Sequence, residues 1–201
     1  MKHVVITIGC ECGSGGPEIG KTIAKSLGIK YYDRDLVDKV VEKIGVKREL
    51  VEEADTKSNV KYEYDTKYGP RYANLSNRVI YTQSEVISKL ASKSSCVIIG
   101  RCADYALQEY KNCLNIFIHA DESSKIKRIM QRYDISDDKA KDMMIKKDKQ
   151  RQSYYNYYST KKWGRADSYD LSINSSILGI DGTVNLIVQY IEDFEKNNTA
   201  K

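Results

Sequence analysis

The sequence predicts an α/β domain in three layers, a parallel sheet with helices on both faces. Three observations carry this. Short apolar runs of strand length alternate along the whole chain with longer segments of helical period. One of them, Cys96-Val97-Ile98-Ile99, has no polar break, as in a strand buried on both faces. The first run, Val4-Val5-Ile6-Thr7-Ile8, enters a glycine-rich turn that leads directly into a helix. Strand, turn and helix in repeated succession build a parallel sheet through crossover connections.

The elements follow in order. After the first strand, Pro17 to Leu27 carries Ile19, Ile23, Ala24 and Leu27 as one apolar stripe, and Gly28 ends it. Lys30-Tyr31-Tyr32 is a short second strand. Asp33-Arg34-Asp35 then caps a helix with Leu36, Val37, Val40, Val41 and Ile44 inward, closed by Gly45. Arg48 to Ala54 reads as a further short helix. From Asp55 to Tyr72 the pattern dissolves into a polar loop with Tyr62, Tyr64, Tyr68, Tyr72 and Gly69-Pro70, of a length that is usually functional or mobile. A long helix starts at Asn74 or Ser76 and runs to about Lys93, with Leu75, Val79, Ile80, Val86, Ile87, Leu90 and Ala91 apolar. Gly100-Arg101 closes the third strand, and a helix to about Tyr110 follows. Leu114 to Ile118 is the fourth strand. Asp121 opens a helix through Arg132, and Ser136 caps another to about Tyr158 that carries a dense basic and tyrosine face. Tyr169 to Asn174 is the last strand, and Gly182 onward the closing helix. The 201 residues suit one domain, and no repeat or linker divides them.

The turn Gly9-Cys10-Glu11-Cys12-Gly13-Ser14-Gly15-Gly16 admits two registers. Literally, Gly15 to Thr22 matches G-x-x-x-x-G-K-[ST], a phosphate loop that starts the helix near Lys21. The apolar stripe favours a helix from Pro17, where a proline loses no needed donor. Gly13, Ser14, Gly15 and Gly16 then form the loop, and backbone N–H groups with the helix N-terminus suit an anion. A tight turn without a ligand is the plain alternative.

Composition narrows the class. Hydrophobic residues make up 41%, enough for a core, and no apolar run approaches a membrane span or a signal peptide. A net charge of +5 is mild. It fits an anionic ligand such as a nucleotide as well as it fits nucleic acid, and its mildness argues against RNA as the main partner. Five cysteines read as reduced thiols of a cytoplasmic protein. Cys10 and Cys12 form a lone C-x-C. With only His3 and His119 to join them, no zinc site is expected, and no residue is assigned to a metal.

Ligands of open parallel sheets bind past the carboxyl ends of the strands. Asp33, Arg34 and Asp35 fall there after the second strand, Arg101 after the third, and Asn174-Ser175-Ser176 after the last. An arginine behind a glycine at a strand end suits bidentate phosphate contact or a salt bridge. The stretch from Lys146 through Arg151, with Tyr154, Tyr155, Tyr157, Tyr158 and Lys161-Lys162-Trp163-Gly164-Arg165, could close over phosphates, stay a solvated helix face with tyrosines packed on the core, or stack on single-stranded RNA as an RNA-binding module.

These motifs together, V-I-T-I-x-x-x-x-G-S-G-G, Y-Y-D-R-D-L, I-I-G-R-C-A-D-Y, K-x-D-K-Q-R-x-x-Y-Y-N-Y-Y, K-K-W-G and Y-D-L-S-I-N-S-S-x-L-G-I-D, resemble the cytidylate kinase-like family, a branch of the P-loop nucleoside monophosphate kinases. The resemblance covers nearly the whole chain except about 45–75. It implies a five-stranded parallel sheet, a mobile acceptor-side insert at about 45–75 and a lid at about 146–165. It also implies phosphorylation of CMP or dCMP with ATP and Mg2+. By position, Gly13 to Gly16 would hold the donor phosphates with Lys147. Asp33, Arg34 and Arg101 would face the acceptor, and Lys147, Asp148 and Arg151 match the lid. The chain departs where well-characterised cytidylate kinases carry the loop lysine: Gly16 stands there, and Pro17 follows in place of a small or hydroxyl residue. Lys21, reaching back down its helix, and the lid cations Arg151 and Lys162 are the candidates to supply that charge. The rival expectation is a non-catalytic nucleotide-binding sensor that lost the lysine. The apolar stripe on the long helix leaves a homodimer open.

Overall fold

A computed structural model of the chain describes residues 3–56 and 71–199. Five parallel strands, β1 (Val5–Cys10), β2 (Lys30–Tyr32), β3 (Cys96–Ile99), β4 (Cys113–His119) and β5 (Leu171–Asn174), form one sheet in the order β2-β3-β1-β4-β5. The helices are α1 (Gly16–Leu27), α2 (Asp35–Ile44), α3 (Arg48–Thr56), α4 (Arg71–Lys93), α5 (Ala103–Ala106), α6 (Glu122–Tyr133), α7 (Asp137–Tyr158) and α8 (Ser175–Thr199).

Strand alternation divides the core in two. Ile6 and Ile8 of β1 pack with Ile19, Ile23 and Ala24 of α1 and with Val184, Ile187 and Ile191 of α8. Val5, preceding them on the strand, packs on the opposite face with Leu36, Val37 and Val40 of α2 and Val79 and Ile87 of α4. The α4 stripe is therefore spent inside the chain's own core.

The first helix begins at Gly16, with Gly15 left-handed at its N-cap. The literal phosphate-loop register, which starts the helix near Lys21, is not the one adopted. Gly20 has a packing role instead. A Cβ there would lie 2.6 Å from Ile99 Cδ1, so its absence lets α1 approach the sheet.

Several boundaries differ from the sequence pattern. The helix after β3 has only four residues, because Gly100, Arg101 and Cys102 all take positive φ and delay its start. β5 starts at Leu171, after a 3-10 turn at Ala166–Ser168. The last helix starts at Ser175, and Gly179 (φ 67°, ψ −174°) breaks it before Gly182. α3 runs on to Thr56 and α4 begins at Arg71. The tyrosine-rich loop over 57–70 lies outside the described residues.

Candidate active site

The parallel order brings the carboxyl ends of β1 and β3 side by side, with the residues after β2 next to them. Over these ends lies a cavity of about 420 Å³. Its floor is Thr7 to Cys10 and Ile99 to Cys102, and α6 and α7 close it from above with Arg132, Tyr133, Lys147, Gln150, Arg151, Tyr154 and Tyr155.

The glycine loop runs between Cys10 and Pro17, which both line the cavity, and it is held from outside. The Ser14 hydroxyl donates to the Glu11 carbonyl (2.9 Å), and the Ser175 hydroxyl donates to the Ser14 carbonyl (2.6 Å). Arg128 donates to the Gly13 carbonyl, and Lys125 pairs with Glu11 at 2.8 Å. A Cβ at Gly13 (φ +83°) would lie 2.6 Å from the Lys125 carbonyl oxygen. A Cβ at Gly16 would lie 2.5 Å from Cys10 Cβ and 2.6 Å from its Sγ. Cys10 therefore fills the space through which a side chain at position 16 would leave the backbone.

Helix α7 reaches this loop through two charged residues. The Cys12 N–H donates to Asp148 Oδ1 (2.7 Å), and Arg151 donates to the Cys10 carbonyl (3.0 Å) and pairs with Asp148 (3.3 Å). The N-cap of α1 is Gly15, which brings no side chain to cap the first turn, so its backbone donors suit an anion.

Five cations line the cavity, Arg34, Arg101, Arg132, Lys147 and Arg151, against two carboxylates, Asp33 and Asp104. Burial lowers the Arg101 pKa from its ordinary value. Burial also pulls on Arg151, but its acidic surroundings, the paired Asp148 carboxylate among them, outweigh the pull and leave its pKa raised. Burial raises the Asp104 carboxyl, opposed by the Tyr155 hydroxyl that donates to it at 2.5 Å. The Cys10 and Cys12 thiols are pushed up by burial, which keeps them protonated at neutral pH and makes them poor nucleophiles. Lys147 stands 4.9 Å over the Tyr133 ring, and Phe117 joins Trp163 and Tyr169 in an aromatic wall below.

Asp33, Arg34, Arg101, Lys147 and Arg151, singled out from sequence, thus meet at one cavity. Gly13 to Gly16 border it without lining it. Lys21 is exposed on α1 and Lys162 is exposed beyond α7, and neither lines the cavity. Sequence reasoning missed Arg132 and Tyr133 at the end of α6, and Asp104. It gave no sign that Gln83, a polar residue inside the apolar stripe of α4, donates to the Arg101 carbonyl behind the cavity wall (3.1 Å). That break in the stripe was the available signal.

The sequence model of the cytidylate kinase-like family matches residues 5–177. The chain belongs to that family. A cytidylate kinase of Methanocaldococcus jannaschii is 23% identical over 195 residues, which span 96% of this chain and 100% of that protein. The crystal structure of an uncharacterized protein from Eubacterium ventriosum is similar at TM-score 0.73 and 30% identity, covering 94% of this chain and 98% of that one. A shikimate kinase from Bacteroides thetaiotaomicron shares the fold at TM-score 0.55 and 15% identity, with 94% and 98% covered. This member of the cytidylate kinase-like family therefore carries the fold of P-loop kinases, with Gly16 and Pro17 opening the helix after its glycine turn. Among its described residues no group of three or more His, Cys, Asp or Glu could hold a metal, and no helix is long and apolar enough to cross a membrane.

Proposed function

We propose that this protein transfers a phosphoryl group from ATP to a nucleoside monophosphate, with CMP or dCMP the first candidates. The observation that carries the proposal is the cavity itself. Its cation excess lies past the carboxyl ends of β1 and β3, beside a glycine loop and an uncapped helix start. Arg101 and Arg34 hold the acceptor phosphate, and Asp33 lies beside them to orient the acceptor. Loop backbone donors and Lys147 hold the donor phosphates. ATP, when bound, supplies the transferable γ-phosphoryl group. Arg151, fixed at the Cys10 carbonyl where β1 meets the loop, supplies positive charge that a loop lysine would otherwise bring. Phosphoryl transfer needs position and charge neutralisation more than a covalent catalyst, so such a set suffices in kind. Magnesium fits less well. Pro17 stands where a loop hydroxyl would ligate it. Five free cysteines suit a cytoplasmic setting.

A coupled kinase assay over a panel of nucleoside monophosphates tests this proposal, with Arg101→Ala beside the parent. Turnover with CMP or dCMP is expected. Arg101→Ala should weaken acceptor binding by about 1.5–3 kcal/mol, the worth of a charged hydrogen bond, and leave ATP binding nearly unchanged. Equal losses for both ligands would place Arg101 elsewhere. The Cys10 side chain packed against Gly16 favours a second reading, a nucleotide-binding sensor. Nucleotide binding without turnover for any acceptor would select it.

A further inference from the structure

Gly100, Arg101 and Cys102 have φ of 62°, 62° and 49°. A left-handed glycine is routine. Two side-chain-bearing residues in succession are not, since each brings its Cβ too close to the following carbonyl oxygen. Such a backbone persists only where its surroundings over-determine it. Here the Gly100 N–H donates to the Ile8 carbonyl (2.9 Å), and the Ala103 N–H donates to the Gly100 carbonyl (3.1 Å). The Cys102 carbonyl accepts from the N–H groups of Tyr105 (3.1 Å) and Ala106 (2.9 Å). Cys102 itself packs among Tyr154 and Tyr155. The central carbonyl, that of Arg101, is held by a side chain from another element. Gln83 Nε2 of α4 donates to it at 3.1 Å.

Gln83 is 4% exposed, on the face of α4 whose neighbours Val79, Val86 and Ile87 belong to the core. Burying an amide costs unless it is hydrogen-bonded, and an apolar side chain would pack there without that cost. Its amide nitrogen ends on the turn that places Arg101 at the cavity wall, between Gly100 and Cys102, which line it too, and the same amide also meets the Tyr154 hydroxyl of α7. Losing the bond would free the peptide between Arg101 and Cys102 to rotate. Both residues could then relax toward right-handed φ, and the Arg101 side chain would leave its direction.

We infer that Gln83 is a positioning residue for the acceptor site, acting through the backbone of Arg101. The inference rests on the proposal that Arg101 grips the acceptor phosphate. It assigns a specificity for one ligand to a residue buried in the core.

The test is a double-mutant cycle. Gln83→Met keeps the volume and removes the donor, and Gln83→Asn is the second variant should Met fold poorly. Each is made in the parent and in Arg101→Ala, and thermal melts confirm folding. KM is measured for CMP at saturating ATP, and for ATP at saturating CMP. Gln83→Met is expected to raise the CMP KM roughly tenfold, the size of one lost buried hydrogen bond. The ATP KM should stay within about twofold. In the Arg101→Ala background the same substitution should change the CMP KM very little, because the group it positions is gone. Equal rises for both substrates, no rise, or the same rise with and without Arg101 would overturn the inference and leave Gln83 a packing residue. If the parent binds CMP without turnover, the cycle is read in calorimetric Kd, and the kinase proposal alone falls. If the parent binds no monophosphate, both fall together.

Discussion

Cys10 and Gly16 face each other across the glycine loop, and the contact sets what position 16 can carry. A side chain added there starts 2.5 Å from Cys10 Cβ, inside any ordinary contact, and Cys10 Cβ is not a flexible end that can swing away. Gly16→Lys alone is therefore expected to lower the melting temperature and to leave phosphoryl transfer no faster. Overpacking of this kind costs about 1–3 kcal/mol. Cys10→Gly with Gly16→Lys removes the obstruction, and that pair should recover stability relative to Gly16→Lys and raise kcat. A single Gly16→Lys that is both stable and faster would mean the loop opens readily. Asp104 makes a second prediction at this scale. Burial raises its folded-state pKa above the unfolded value, so holding the carboxyl charged at higher pH costs stability. The cost disappears as pH falls through the folded pKa toward the unfolded value. Asp104→Asn keeps an acceptor for the Tyr155 hydroxyl and loses the charge. It should melt higher than the parent at pH ~8, by a margin that shrinks on acidification. A margin independent of pH would show that the carboxyl carries no such cost.

Helix α7 is anchored at both ends by different partners. Ala140 and Met144 pack with Ile126 and Ile129 of α6, whereas Tyr154 and Tyr155 pack with Cys102 near the cavity. The charged middle reaches the loop through Asp148 and Arg151. A helix held at its ends and hydrogen-bonded at its centre suits a lid whose middle responds to phosphate. Hydrogen exchange across 146–165 should show the end of α7 at 153–158 protected with or without nucleotides. Protection across 146–152 should rise when ATP and CMP are added together. Full protection of 146–152 in the free protein would make the segment fixed core and remove the lid.

On the scale of the molecule, five cavity cations collect from the β2–α2 connection, the end of β3, α6 and α7. Their combined field attracts anions, and salt weakens it once the Debye length shrinks below about 10 Å. CMP affinity should fall as ionic strength rises, and the dependence should flatten in Arg34→Ala. A salt-independent Kd would count against phosphate as the recognised group. Nucleotide at about one hundred times its Kd stabilises by about 2.7 kcal/mol, which should raise the melting temperature by roughly 5–10 °C for a chain of this size.

Periodicity and local chemistry made the strands, the parallel sheet and the start of α1 legible in the chain alone. An apolar stripe and a proline at the first turn act within a few residues of themselves, so they can be read without the rest of the molecule. The placement of Arg34 and Arg101 at the cavity was legible for a related reason: a parallel sheet puts every strand's carboxyl end on one edge. Only the tertiary structure decided which cations share the cavity, bringing Arg132 in and leaving Lys21 and Lys162 outside. It alone set Cys10 against Gly16, the Asp148 carboxylate on the Cys12 N–H, and Gln83 on the Arg101 carbonyl. Two of these contacts join separate elements of the chain, and the third depends on how a loop folds back on the strand before it. Composition and spacing record local preference, whereas each of these contacts is settled by how the packed elements close on one another.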